Sequence, residues 1–167
     1  KNQAHWWDTL AYGGLAKESL YHLWSNNTFL LNEAIIRAPL LPFLWSILLR
    51  LNLSEPSIIF ILEIIPSIIS VYFVYLIGKE LYDKEVGLIS SFIFSISWLV
   101  IFYTMRIMTD IPTMFFSLLS IYFFSKSYKN LNLKFFSLSI LFFSLAVLSR
   151  TVSYILGGVY LILIILY

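Results

Sequence analysis

Long apolar segments separated by short polar loops make up the last two thirds of the chain. An α-helix rises about 1.5 Å per residue, so it needs roughly 20 apolar residues to cross a hydrocarbon core of about 30 Å. The pattern therefore predicts an all-α fold, a polytopic transmembrane helical bundle. The predicted spans are residues 57–78, 88–105, 111–125, 135–149 and 151–167, of which the third and fourth are short for a full crossing.

Residues 1–56 follow a different pattern, because their apolar residues alternate with charged and amide side chains. The leucines spaced along residues 8–23 are typical of an amphipathic helix that lies on a membrane. The tryptophans of this region fit the aromatic belt at a membrane interface. A second short helix is expected over residues 43–51. The sequence thus predicts a loop of amphipathic juxtamembrane helices, followed by about five spans over residues 57–167.

Composition agrees with a chain that is not surrounded by water. Hydrophobic residues make up 60% and charged residues 12%, against about 25% charged in an ordinary globular domain, and the mean hydropathy is +0.87. The net charge of +2 comes from dispersed basic residues, which do not favour nucleic-acid binding. The sequence has no cysteine, and His5 and His22 are seventeen residues apart without a set of carboxylates around them at ligand spacing, so no metal site is predicted from these residue types.

The charges of the loops indicate how the helices are oriented. The loops after the first and third spans are rich in lysine, which by the positive-inside tendency makes them cytoplasmic. Residues 1–56 and the turns before the third and fifth spans then lie outside the cell, at the plasma membrane. The charged residues placed on that side include Asp8, Arg37, Arg106, Asp110 and Arg150. Acidic and basic groups on one membrane face are expected of a site for an anionic, membrane-borne substrate.

The segment Arg106-Ile-Met-Thr-Asp110-Ile-Pro112 is a polar island between two uncharged spans. Charged residues within a membrane are costly, so these two require an explanation. One structural explanation is that Thr109 or Asp110 caps the next helix, with Pro112 in its first turn. Another is that Asp110 pairs with Arg106, four residues earlier. Glu63 is the one charged residue inside a predicted span, and its role stays open.

Four motifs occur in an order that resembles one group of membrane enzymes. The segment Gly78-Lys-Glu-Leu-Tyr-Asp-Lys-Glu-Val-Gly87, together with the island at residues 106–112, is similar to the protein O-mannosyltransferase and aminoarabinose-transferase group of GT-C glycosyltransferases. Asp8-Thr-Leu-Ala-Tyr12 resembles the acidic motif in the first extracytoplasmic loop of that family. Arg37-Ala-Pro39-Leu-Leu-Pro42 resembles its proline motif, and Leu145-Ala-Val-Leu-Ser-Arg150 resembles the position of a basic residue after its fifth helix. The resemblance implies that the family's first transmembrane helix and C-terminal half lie outside this sequence.

The resemblance implies an enzyme that moves a sugar from a polyprenyl- or dolichyl-phosphate carrier to a protein or lipid acceptor. In that reaction Asp8 would be the catalytic carboxylate that accepts the acceptor's proton, and Asp110 would support it. The structural alternative for Asp8 is an N-cap of the interfacial helix. The family often has two adjacent acidic residues where this chain has Asp8-Thr9, so a second carboxylate is missing here. Tyr12 is a further candidate for the site.

The carrier phosphate calls for cationic partners, and guanidinium groups make charge-assisted, often bidentate contacts with phosphate oxygens. The candidates are Arg150, Arg106 and Arg37. The structural alternative for Arg150 and Arg106 is snorkelling to lipid headgroups, and for Arg37 it is an ordinary surface position. A divalent cation, Mg²⁺ or Mn²⁺, would suit carboxylates facing a phosphate, and the sequence leaves it open whether one binds beside Asp8.

Two other functions compete with this one. An oligosaccharyltransferase-like catalytic subunit would have two acidic residues separated by one residue near the start, which Asp8-Thr-Leu does not supply. A transporter or flippase would carry charges at mid-membrane beside broken helices, and only Glu63, near Pro66, fits that description.

Overall fold

The computed structural model of the protein describes residues 12–17 and 38–165, and this part of the chain is helical, without strands. Residues 12–17 form a short helical segment. The helices that follow are α1 (Leu40–Arg50), α2 (Glu55–Leu81), α3 (Lys84–Ser95), α4 (Trp98–Thr104), α5 (Asp110–Asn130), α6 (Leu133–Ser149) and α7 (Tyr154–Ile165). A short 3₁₀ turn, Thr151–Ser153, joins α6 to α7. The all-α prediction is confirmed for the described residues.

The second predicted span differs from the structure, because residues 88–105 do not form one straight helix. They divide between α3 and α4, whose axes are bent by 55°. The break falls where Ser97 adopts an extended backbone (φ −62°, ψ 123°) and becomes the residue before α4. Just upstream, the hydroxyl of Ser95 donates to the carbonyl of Phe92 at 2.8 Å, a local bond that competes with helix continuation.

One helix, α2, is long and apolar enough by itself to cross a membrane, with a mean hydropathy of 2.2 over its most apolar window. The bent pair α3–α4 meets the same criteria if it is taken as one span. Three shorter apolar helices accompany them among the described residues: Leu40–Arg50, Leu133–Ser149 and Thr151–Ile165. Length and composition therefore identify one or two candidate membrane helices in an all-helical chain.

Helix α2 contains one turn of π-helix, Phe60–Ile64, directly before Pro66. Proline has no backbone N–H, so it cannot donate to the carbonyl four residues earlier, and the turn before it loses an α-helical bond. A single π turn widens the helix there and shifts the side chains that follow on its surface. The widened turn buries two consecutive residues, Leu62 and Glu63.

Helices α5 and α6 form an antiparallel hairpin joined by a turn in which Leu131 has a positive φ of 47°. The hydroxyl of Ser120 donates to the carbonyl of Ser139 at 2.9 Å, and the hydroxyl of Ser139 donates to the carbonyl of Ser120 at 3.0 Å. The phenol of Tyr160, from α7, hydrogen-bonds Ser120 Oγ at 2.8 Å. Small residues and buried hydroxyl bonds of this kind allow close helix packing without large apolar side chains.

A separate apolar cluster connects the start of the described chain with its middle. Tyr12 and Ala16 of the first helical segment are buried in it. Its other buried members are Leu41, Trp45, Ile58, Leu62 and Ile107. This N-terminal cluster therefore joins the first segment, α1, the widened turn of α2 and the loop before α5.

Helices α2 and α3 approach each other at Gly78 and Gly87. A Cβ added to Gly78 would lie 2.7 Å from the Cα of Gly87, a backbone atom that cannot move aside easily. We predict that Gly78→Ala lowers the free energy of unfolding by about 1–3 kcal/mol, the usual cost of overpacking. Thermal unfolding of the detergent-solubilised full-length protein would measure this loss.

Gly158→Ala is the matched control, because a Cβ at Gly158 in α7 meets nothing within 4 Å. Alanine there should be neutral or stabilising, since it is the better helix former. Equal losses of stability in the two variants would contradict the close approach of α2 and α3.

Candidate functional site

The loop between α4 and α5 is held by apolar side chains on both sides of its acidic residue. Ile107 is 2% exposed and Ile111 is 1% exposed, and Thr109 between them is also buried. Burying two isoleucines contributes roughly 1.5–3 kcal/mol each relative to leaving them exposed. The backbone that carries Asp110 is therefore fixed by the core.

Asp110 is the first residue of α5, and its carboxylate Oδ1 accepts a charge-assisted hydrogen bond from a guanidinium nitrogen of Arg150. The two residues are forty positions apart in the sequence. The side chain of Arg150 is 48% exposed and that of Asp110 is 23% exposed. The pair lies at the rim of the helical assembly, where ligands can reach the guanidinium.

The backbone around Arg150 explains how it reaches α5. Arg150 directly follows α6 in an extended conformation (φ −160°, ψ 127°), so the chain turns away from the helix axis at this residue. Its N–H still donates to the carbonyl of Ala146 at 2.9 Å, and its own carbonyl accepts from Ser153 N–H at 3.1 Å. Arg150 is thus bonded on both sides, at the junction between α6 and the 3₁₀ turn.

Helix capping in the island is only partly as the sequence suggested. Thr109 is the residue before α5, but its side chain makes no capping hydrogen bond, and its carbonyl accepts from the Thr113 hydroxyl at 2.5 Å. Pro112 lies in the first turn, as predicted. Asp110 at the helix start is favoured by the helix dipole as well as by its ion pair.

The guanidinium carbon of Arg106 lies 3.7 Å from the centre of the Phe102 ring, a cation–π contact. Arg106 therefore contacts the end of α4, and the ion pair of Asp110 is with Arg150. Two alternatives had been open for Asp110, capping and pairing within the island. The structure gives it a partner at the end of α6, the neighbouring helix of the hairpin, which local spacing could not indicate.

Glu63 is fully buried in the widened turn of α2, and its Oε1 accepts a hydrogen bond from the backbone N–H of Met108 at 3.1 Å. Its second oxygen, Oε2, has no hydrogen-bond partner among the described residues. The contact joins residues 45 positions apart. Sequence reasoning noticed Glu63 only as a charge inside an apolar span, and its position just before Pro66 was the one available signal.

An open groove of about 570 Å³ runs from Arg150 along α7. Its polar lining residues are Thr113, Ser117, Arg150 and Ser153. Its apolar wall is formed by Val152, Ile155, Leu156 and Val159. A cationic head that continues into an apolar wall is the shape expected for a ligand with an anionic head and a hydrocarbon chain.

Of the three other predicted site residues, the structure describes one. Asp8 and Arg37 lie outside the described residues. Tyr12 is described, and it is buried in the N-terminal cluster together with Ile107 of the island loop. Within residues 12–17 and 38–165, no three His, Asp or Glu side chains converge as metal ligands.

A family model described as dolichyl-phosphate-mannose-protein mannosyltransferase matches residues 36–167. The chain belongs to this family. The match confirms the resemblance seen in the motifs, and the mannosyltransferase family points to a GT-C glycosyltransferase. Proteins of this family are integral membrane proteins. No curated protein and no solved structure matches the chain.

The ion pair between Asp110 and Arg150 is partly exposed, so we predict that it contributes little to stability. A double-mutant cycle with Asp110→Asn and Arg150→Gln should give a coupling energy of about 0.2–1 kcal/mol, as for other exposed pairs. Thermal unfolding of the wild type, the two single variants and the double variant would measure it. A coupling of about 3–5 kcal/mol, typical of a buried pair, would contradict the observed exposure.

Proposed function

We propose that this mannosyltransferase-family chain forms part of a membrane-embedded glycosyltransferase whose donor is a sugar on a polyprenyl or dolichyl phosphate. The acceptor is a protein or a lipid on the extracytoplasmic face of the plasma membrane. The observation that carries the proposal is the contact of Arg150 with Asp110 at the head of an apolar groove, in a chain of this family.

The proposal includes a polytopic arrangement, with the helices from α2 onward in the bilayer. In support, many large apolar side chains are exposed on these helices, and soluble proteins rarely expose such continuous surfaces. Examples from α3, α4 and α7 are Leu88, Ile89, Phe92, Ile93, Trp98, Leu99, Ile155, Leu161 and Ile165. The lysine-rich loops then face the cytoplasm, and the Asp110–Arg150 pair faces outside.

The proposed reaction breaks the bond between the sugar's anomeric carbon and the phosphate oxygen, and forms a bond from that carbon to the acceptor oxygen. The acceptor's proton passes to the carboxylate of Asp8, which acts as general base. The electron pair of the broken bond stays on the carrier phosphate, which leaves with an additional negative charge. Direct attack from the face opposite the phosphate inverts the configuration of the sugar.

Arg150 is the proposed partner of the carrier phosphate. Its guanidinium can donate to phosphate oxygens and stabilise the charge that develops on the leaving group. Asp110 orients this guanidinium through the ion pair that the structure contains. The hydrocarbon chain of the carrier follows the groove wall formed by α7 side chains such as Ile155 and Val159.

Arg106, Arg37 and Tyr12 have supporting roles in the proposal. Arg106 is on the island that carries Asp110, and Arg37 belongs to the proline motif, so both are additional candidates for phosphate contact. Tyr12 follows Asp8 by four residues and is buried in the N-terminal cluster with Ile107.

The first test is the substitution Asp8→Asn in the full-length protein. Loss of the general base should lower kcat for consumption of the lipid-linked sugar by about 100-fold or more. The amount of protein in the membrane, measured by immunoblot, should change little. Asp110→Asn should lower turnover less, because it removes an orienting partner only. Unchanged turnover in Asp8→Asn would refute its catalytic role.

A second test separates phosphate binding from general effects of charge. Arg150→Gln removes charge-assisted hydrogen bonds to the phosphate, which contribute about 1.5–3 kcal/mol, so kcat/KM for the donor should fall about 10- to 100-fold. Arg150→Lys should retain an intermediate value, because lysine keeps the charge without the planar fork.

The matched control is Lys134→Gln, an exposed basic residue near the opposite end of α6. It removes one positive charge from the other end of α6 and should leave kcat/KM unchanged. A similar loss in Lys134→Gln and Arg150→Gln would contradict a specific phosphate contact at Arg150.

A further inference from the structure

Glu63 occupies a position that is costly for an acidic residue. Its side chain is fully buried, and desolvating a carboxyl group is unfavourable unless hydrogen bonds compensate for the lost water. Among the described residues, the hydrogen bond it receives is from the backbone N–H of Met108. An apolar side chain of similar size would fill the same space without that cost, so the hydrogen bond is the feature that only a polar residue supplies here.

Two consecutive residues of α2, Leu62 and Glu63, connect this helix with the island loop in two different ways. Leu62 belongs to the same apolar cluster as Ile107. The next residue, Glu63, accepts from Met108, which follows Ile107. Apolar packing within the cluster has no direction, whereas the hydrogen bond fixes the orientation of a peptide group. Together they set both the position and the rotation of the loop backbone.

The widened turn makes this contact available. Phe60–Ile64 is the π turn of α2, and Glu63 lies within it, three residues before Pro66. An extra residue in one helical turn changes which side chains face the loop. The combination of the π turn and a buried carboxyl group directed at a loop backbone is therefore specific to this point of the helix.

The loop that Glu63 holds leads directly to the ion pair. Met108 is two residues before Asp110, and Asp110 bonds Arg150 at the head of the groove. A loop displaced at Met108 would move the carboxylate of Asp110 and, with it, the guanidinium. A misplacement of about 1 Å far from the reacting atoms can cost about 100-fold in rate.

We propose that Glu63 is a positioning residue, which acts through the backbone of Met108 to place Asp110 and Arg150 for the carrier phosphate. This inference rests on the proposed glycosyl transfer for its consequence in activity. The contact itself can be tested without activity, so the two can fail separately. The required property of Glu63 is an oxygen acceptor at Oε1, not its negative charge.

The variants Glu63→Leu and Glu63→Gln separate these two properties in the full-length protein. Leucine removes the acceptor, and glutamine retains a carbonyl oxygen in the same place without the charge. We expect kcat/KM for the lipid-linked sugar to fall about 10- to 100-fold in Glu63→Leu, with both a lower kcat and a higher KM. Glu63→Gln should restore most of the activity. Glu85→Gln, an exposed acidic residue in the first turn of α3, is the matched control and should have no effect.

Hydrogen–deuterium exchange at residues 106–110 gives the readout that does not depend on catalysis. The Met108 amide should exchange faster in Glu63→Leu than in the wild type, and at the wild-type rate in Glu63→Gln. If Glu63→Leu does not fold, Glu63→Asp replaces it, because the shorter side chain cannot reach Met108, and it should show the same faster exchange.

Equal loss of activity in Glu63→Gln and Glu63→Leu would overturn the proposal and point to a role for the charge, as in a transporter. Unchanged exchange at Met108 in Glu63→Leu would overturn the contact. Faster exchange in a protein that transfers no lipid-linked sugar would retain the contact and reject the proposed function.

Discussion

A buried carboxyl group needs a hydrogen-bond donor, and the donor that Glu63 has is the backbone of the loop before α5, 45 residues further along the chain. This requirement connects α2 to the segment before α5 and thereby to the candidate site. Apolar packing alone would allow that segment to slide or rotate, since dispersion contacts have little direction. The same helix provides the long apolar surface on which α3 and α5 pack. Its widened turn thus contacts the loop that leads to Asp110.

The site itself follows from the antiparallel register of α5 and α6. Ser120 and Ser139 face each other through reciprocal hydrogen bonds. Asp110 lies ten residues before Ser120, and Arg150 lies eleven residues after Ser139, so both arrive at the same end of the hairpin. The ion pair is a consequence of helix lengths and register, and the extended backbone at Arg150 directs its side chain across to α5.

Much of the helical architecture could be predicted from the sequence, because α2, α5 and α6 coincide with long apolar segments bounded by polar residues. The break between α3 and α4 could not, since neither glycine nor proline is present at Ile96–Ser97 to mark it. Local spacing favoured Arg106 as the partner of Asp110, whereas tertiary structure supplied Arg150. The importance of Glu63 was likewise hidden, because a single sequence does not show which backbone group a buried acid will meet.

The reciprocal bonds between Ser120 and Ser139 also determine where this chain can tolerate changes in length. The turn at Leu131–Asn132 is on the far side of that contact, so residues inserted there leave the two helix halves that carry Asp110 and Arg150 in register. One residue inserted between Ser139 and Arg150 would rotate everything beyond it by about 100° around the axis of α6. The hairpin therefore tolerates insertions at the turn between α5 and α6. At its other end, an insertion would separate Asp110 from Arg150.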